Sequence, residues 1–157
     1  MTDSANRIAQ VTLDEKTVIH RKGDVEHERA VAIADLLEQN SFAPKSGAAG
    51  PFNLHLGIAE ERLVLDVRDG ADRPLERVTL PLAPFRGLVK DYFLVCESYY
   101  SAVKTADPAR IEAIDMGRRS LHNEGSELLR DNLADQVDID FDTARRLFTL
   151  LCVLHIR

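Results

Sequence analysis

At 157 residues the chain has the size of one domain, and its 45% hydrophobic content is enough to build a core. A net charge of −6 and a pI near 5.3 argue against whole-surface attraction to nucleic acid or an anionic membrane, while leaving room for a local basic site. The start has neither a basic region nor an apolar run, and the most apolar stretch, residues 147–156, is half of the roughly twenty residues that cross a bilayer, so neither a signal peptide nor a membrane span is expected.

In chain order, Ala9, Val11 and Leu13 alternate with Gln10 and Thr12, which predicts a half-buried strand over residues 7–13 with those three inward. Residues 17–22 are polar and carry no pattern. Asp24 reads as the cap of a helix to about residue 40, with Val25, Ala32, Ile33, Leu36 and Leu37 at helical spacing and Glu26 and Glu28 suited to its first turns. Residues 42–52, with Pro44, Ser46, Gly47, Gly50 and Pro51, predict a loop flanked by short extended pieces.

Three alternating runs follow: Phe52, Leu54, Leu56 and Ile58; Leu63, Leu65 and Val67; Val78, Leu80 and Leu82. Their short polar links predict an antiparallel meander with one buried face. Phe85, Leu88, Val89, Tyr92, Val95, Cys96, Tyr99 and Val103 mark a helix over residues 84–104. Asp107 followed by Pro108 is a strong helix start, and that helix should reach about residue 134. Val137 and Ile139 mark a short strand. Asp140 or Asp142 caps a last helix over residues 143–155, apolar all round and therefore buried.

The expected fold is α+β: an antiparallel-dominated sheet packed by long helices, the last one central. We read it as one domain, with residues 1–22 an N-terminal strand and variable segment, 23–82 a helix and the meander, and 83–157 mainly helical. Cys96 and Cys152 lie in apolar helical stretches without a CxxC partner, so they read as reduced, buried thiols of a cytoplasmic protein.

Familiar chemistry is missing. Gly47-Ala48-Ala49-Gly50 is followed by Pro51 and a strand, where a phosphate loop needs lysine and a helix. There is no G-x-G-x-x-G and no G-x-S-x-G. None of His20, His27, His55, His122 and His155 pairs at the spacing of a helical zinc site, and no metal or cofactor is expected.

One helix face breaks its pattern. Ile111, Ile114, Leu121, Leu128, Leu129 and Leu133 form a stripe, yet Arg118 and His122 fall inside it, with Asp115 at its edge and Gly125 alongside. The favoured reading is a sealed polar network in which Arg118 binds an acidic side chain, because an unpaired buried arginine costs several kcal/mol. The alternative is a ligand site in which Arg118 is a fork for a carboxylate or phosphate and His122 a proton carrier, with Arg119, Asn123 and Glu124 nearby. A third is contact with a partner chain. Arg145 and Arg146 could supply two more forks but read first as a solvated pair, Arg86 and Lys90 could form a basic edge but read first as a solvated face, and His27 reads as part of an exposed charge cluster.

The strings Val25-Glu26-His27-Glu28-Arg29-Ala30-Val31-Ala32-Ile33, Val89-Lys90-Asp91-Tyr92-Phe93, Cys96-Glu97-Ser98-Tyr99-Tyr100 and Leu121-His122-Asn123-Glu124-Gly125-Ser126-Glu127-Leu128-Leu129, with residues 110–119 and 140–155, resemble an alphaproteobacterial family of unknown function, uncharacterised protein family 0262. The first twenty residues match poorly. The resemblance implies a bacterial cytoplasmic protein and assigns no activity. Two functions remain open, and whether either is enzymatic stays open too. The first is an interaction or regulatory protein with a protein partner or a second copy, since tyrosine and arginine are common interface anchors. The second is a protein or enzyme for a phosphate- or carboxylate-bearing small molecule on the Arg118/His122 face.

Overall fold

Alternation of apolar and polar residues builds the sheet in this computed structural model, which describes residues 6–14, 23–105 and 107–155, without the side chains of 23–25 and 155. β3 (Phe52–Ala59), β4 (Arg62–Arg68) and β5 (Pro74–Pro81) form the expected antiparallel meander. Leu54 pairs with Val67, Leu56 with Leu65, and Leu65 with Val78, so their shared face is buried. Glu60 and Glu61 turn the β3–β4 hairpin in the left-handed region, at φ 52° and 61°.

β1 (Ile8–Leu13) lies parallel to β3, giving the order β1-β3-β4-β5. The sheet is therefore mixed, with two of its three pairings antiparallel. Ala9 is exposed, not inward as its alternation with Val11 and Leu13 predicts, and Ile8 is buried. A register irregularity between Ile8 and Gln10 resets the alternation there.

The short extended pieces expected around residues 42–52 include β2 (Phe42–Pro44), which pairs antiparallel with β6 (Val137–Ile139) in a second, two-stranded sheet. The Ser41 amide donates to Thr143 Oγ1 at 2.9 Å, tying β2 to the start of α4 (Phe141–His155). Asp140, not Asp142, caps α4: its Oδ1 accepts from the Thr143 amide at 2.8 Å.

α1 (Gly23–Glu38) and α2 (Arg86–Thr105, entered through a 3-10 turn at Ala83–Phe85) match the sequence periods. Residues 17–22 and the side chain of the predicted cap Asp24 lie outside what the structure describes, and α1 already begins at Gly23. α3 (Pro108–Leu133) starts as predicted, with Asp107 accepting from the Arg110 amide at 2.9 Å.

α4 is the centre of the molecule. Leu147, Phe148, Leu150, Leu151, Cys152, Val153 and Leu154 are all buried, and the helix packs on α1, α3 and β3. One hydrophobic cluster joins these side chains to the buried sheet face, to Leu36 of α1, Val89 of α2 and Leu129 of α3. Cys96 and Cys152 are buried thiols, not joined in a disulfide. Among the described residues, no helix is long and apolar enough to cross a membrane.

Candidate functional site

The N-terminal half of α4 has one face that the core does not use. Asp142, Arg145, Arg146 and Thr149, at steps of three and four, line a groove with α1 on one side and α3 on the other. Its volume is about 570 Å³, within the usual range for small-molecule sites.

α3 contributes Arg118, Arg119, His122 and Asn123. Arg118 donates from Nε and Nη2 to Asp115 Oδ1 at 2.9 and 2.6 Å, and its Cζ stands 5.4 Å from the centre of the Tyr99 ring. The expected pairing with an acid is present. The expected seal is not: the Arg118 side chain keeps 28% of its exposure and lines the open groove. Burial opposes the guanidinium's charge, but the hydrogen bonds and charge interactions with Asp115 and Tyr92 together outweigh it and the pKa is raised.

The four arginines share too few acids. Asp115 serves both Arg118 and Arg119, whose Nε lies 3.2 Å from its second oxygen. Asp142 faces both Arg145 and Arg146, at 3.7 and 3.8 Å. Two carboxylates against four guanidiniums leave the α3 and α4 walls with excess positive charge.

His122 registers that charge. It sits between the rings of Tyr92 and Phe148, with centroids at 5.4 and 5.2 Å. Burial, then Arg145 and Arg118, push its pKa down to about 4, so at neutral pH it is uncharged. Its Nε2 lies 2.8 Å from Thr149 Oγ1, whose own proton goes to the Arg145 carbonyl at 3.2 Å. That arrangement puts the imidazole proton on Nε2. In the free protein, then, His122 is a neutral hydrogen-bond donor. Tyr92 closes the groove beside it; burial, with Cys96 and Glu28 nearby, pushes its hydroxyl well above the ordinary range.

Of the other residues singled out from sequence, Asn123 lines the groove and Glu124 is exposed outside its lining. Gly125 is explained by packing: it faces the Phe148 ring, not a ligand. Arg86 is exposed and pairs with Glu61 at 2.9 Å. His27 is exposed on the groove rim. Sequence reasoning missed Glu28 and Asp35 of α1, which also line the groove. Their spacing of seven puts them on one helix face, a signal available in the sequence.

Among the described residues, no group of three His, Cys, Asp or Glu side chains is placed to hold a metal ion. A second hollow, about 730 Å³, lies along the α2–α3 hairpin beside Leu94, Ser98, Ser101 and Ile114. Its Glu97, Asp107 and Arg110 are exposed, and Asp107 is already engaged as a cap. Charged groups converge on the α1/α3/α4 groove instead.

Residues 5–157 match the family described as "Uncharacterised protein family (UPF0262)", so the match takes in β1 as well as the helices. The chain is 57% identical over 151 residues to a UPF0262 protein of Paramagnetospirillum magneticum, covering 96% of each. It is 59% identical to one of Rhodospirillum rubrum, covering 97% of this chain and 94% of that protein. It is 56% identical to one of Azorhizobium caulinodans, covering 98% and 96%. No solved structure matches the chain.

Proposed function

The chain belongs to the uncharacterised protein family UPF0262, and we propose that its α1/α3/α4 groove binds a small molecule through an anionic group, a carboxylate or a phosphate. The observation that carries this reading is the sharing of Asp115 and Asp142 between two pairs of arginines. A guanidinium fork bonds carboxylate or phosphate through parallel N–H donors, and hydrogen bonds to charged groups contribute about 1.5–3 kcal/mol each. The first turn of α4 adds the positive end of its helix dipole. We place this activity in a single-domain protein of the bacterial cytoplasm, in keeping with the bacterial relatives and the two buried cysteines that form no disulfide.

The test is a titration of the full chain with inorganic phosphate, acetate and succinate, followed by the His122 ring resonances. Anion binding offsets the field of Arg145 and Arg118, so the His122 pKa should rise. Arg145→Ala with Arg146→Ala should abolish the response. Absence of any response to all three anions would remove this reading.

A second reading, association with a protein partner or a second copy, is favoured by the α2–α3 hairpin. Leu94 and Val103 are each 52% exposed and Met116 is 60% exposed. Sedimentation of the full chain tests self-association: a concentration-dependent shift lost in Met116→Glu supports it, and a monomer at all concentrations excludes the second copy.

A further inference from the structure

The two sides of the groove carry opposite charge. The α3 and α4 side has four guanidiniums and only two nearby carboxylates. Among the described residues, the α1 side contributes His27, Glu28 and Asp35 and no lysine or arginine. Glu28 Oε1 accepts from the Tyr100 hydroxyl at 2.9 Å, which fixes the carboxylate in place. Asp35 is half-buried, and its carboxylate has no hydrogen-bond or ion-pair partner among the described residues.

A purely anionic ligand fits only half of that surface. Its charge would be held by the arginines and repelled by Glu28 and Asp35. An amine on the same ligand changes the balance, because an ammonium group donates three hydrogen bonds and neutralises an otherwise unpartnered acid. Glu28 and Asp35 lie two turns apart on one face of α1, about 10 Å along its axis, so an amine can be met at either end of the groove. The same opposition also selects against plain dianions, which gain on one side and lose on the other.

We propose that the ligand of this groove is a zwitterion, an amino acid or a phosphorylated amine, with its anionic group on the α3/α4 arginines and its ammonium group on Asp35 of α1. The proposal rests on the anion-binding reading above and adds the second charge.

Matched ligands test it. Calorimetry and His122 resonances of the full chain are followed with β-alanine, 4-aminobutyrate and 6-aminohexanoate against propionate, butyrate and hexanoate, and with phosphoethanolamine against ethyl phosphate. At least one zwitterion should bind about tenfold tighter than its partner without the amine, the effect of one well-placed charge-assisted hydrogen bond. Asp35→Asn should bring that ratio to about one by weakening the zwitterion, while the plain anion, relieved of the Asp35 repulsion, binds no more weakly than before. An unchanged amide spectrum shows that the variant is folded. If plain anions bind as tightly as zwitterions, and Arg145→Ala with Arg146→Ala abolishes both, the zwitterion assignment falls and the anion reading stands. If neither class binds at millimolar concentration, both fall.

Discussion

Gly125 of α3 faces the tip of the Phe148 ring of α4, so closely that a single methyl group at Gly125 would overlap the ring. Both residues are buried, and neither helix can move away without opening the core. Gly125→Ala should therefore destabilise the protein by about 1–3 kcal/mol, even though alanine favours a helix by about 1 kcal/mol over glycine. In a Phe148→Ala background, itself costing about 3–5 kcal/mol, the sign should reverse, because the methyl group then fills the space left by the ring. Urea denaturation of the four proteins of this cycle measures it. Simple addition of the two single effects would refute the contact.

Arg118 should be less important to stability than its place on an apolar stripe implies. Removing it does not strand Asp115, because the second oxygen of that carboxylate already faces Arg119 at 3.2 Å. Arg118→Ala should cost about 1 kcal/mol, in the range of a surface ion pair rather than a broken buried one, and Arg118→Leu no more. Asp115→Asn removes the anion shared by both arginines. It should raise the positive field in the groove and tighten anion binding, measured by calorimetry with inorganic phosphate.

The acidity of His122 gives a pH dependence with a definite sign. Its folded pKa is about 4, below the 6.5 of an unfolded chain, so between those values the unfolded state binds more protons. Stability contributed by neutral His122 is fully present above pH 6.5 and is lost as pH falls toward 4, by about 3 kcal/mol at most. His122→Gln should flatten the denaturation midpoint across that window. Arg145→Ala should raise the His122 pKa measured by resonance titration, and an unmoved pKa would show that Arg145 does not reach it.

Limited proteolysis should yield one core fragment, since a single hydrophobic cluster joins the sheet to all four helices. Two stable fragments would contradict the one-domain organisation.

The meander was legible because its residues alternate locally: Leu63, Leu65 and Val67 declare their face without reference to any partner. The α3 cap was legible for the same reason, since Asp107 and Pro108 act within one turn. The parallel pairing of β1 on β3 was not, because alternation identifies an inward face but not a neighbour. At Ala9 even the face was misread, since a bulge is set by register with the adjoining strand. The groove shows the limit of a helical wheel. The wheel brought Arg118, His122 and Asp115 together correctly, but it cannot show which covering element stops short. The α1 wall, with Glu28 and Asp35, comes from a segment more than eighty residues earlier, and Arg145 and Arg146 looked solvated because their groove exists only in three dimensions.

The central place of α4 shapes how the molecule must be made. Every strand of the larger sheet precedes α4 in the chain, yet α4 supplies much of the apolar surface that covers it. While the ribosome is still adding α2 and α3, the inner face of the meander has no α4 to cover it. The β2–β6 pairing and the Ser41–Thr143 bond, which spans 102 residues, close only after that last helix emerges. The nascent chain therefore carries an open apolar sheet from the completion of β5 until α4 emerges, the interval in which aggregation or chaperone capture competes with folding.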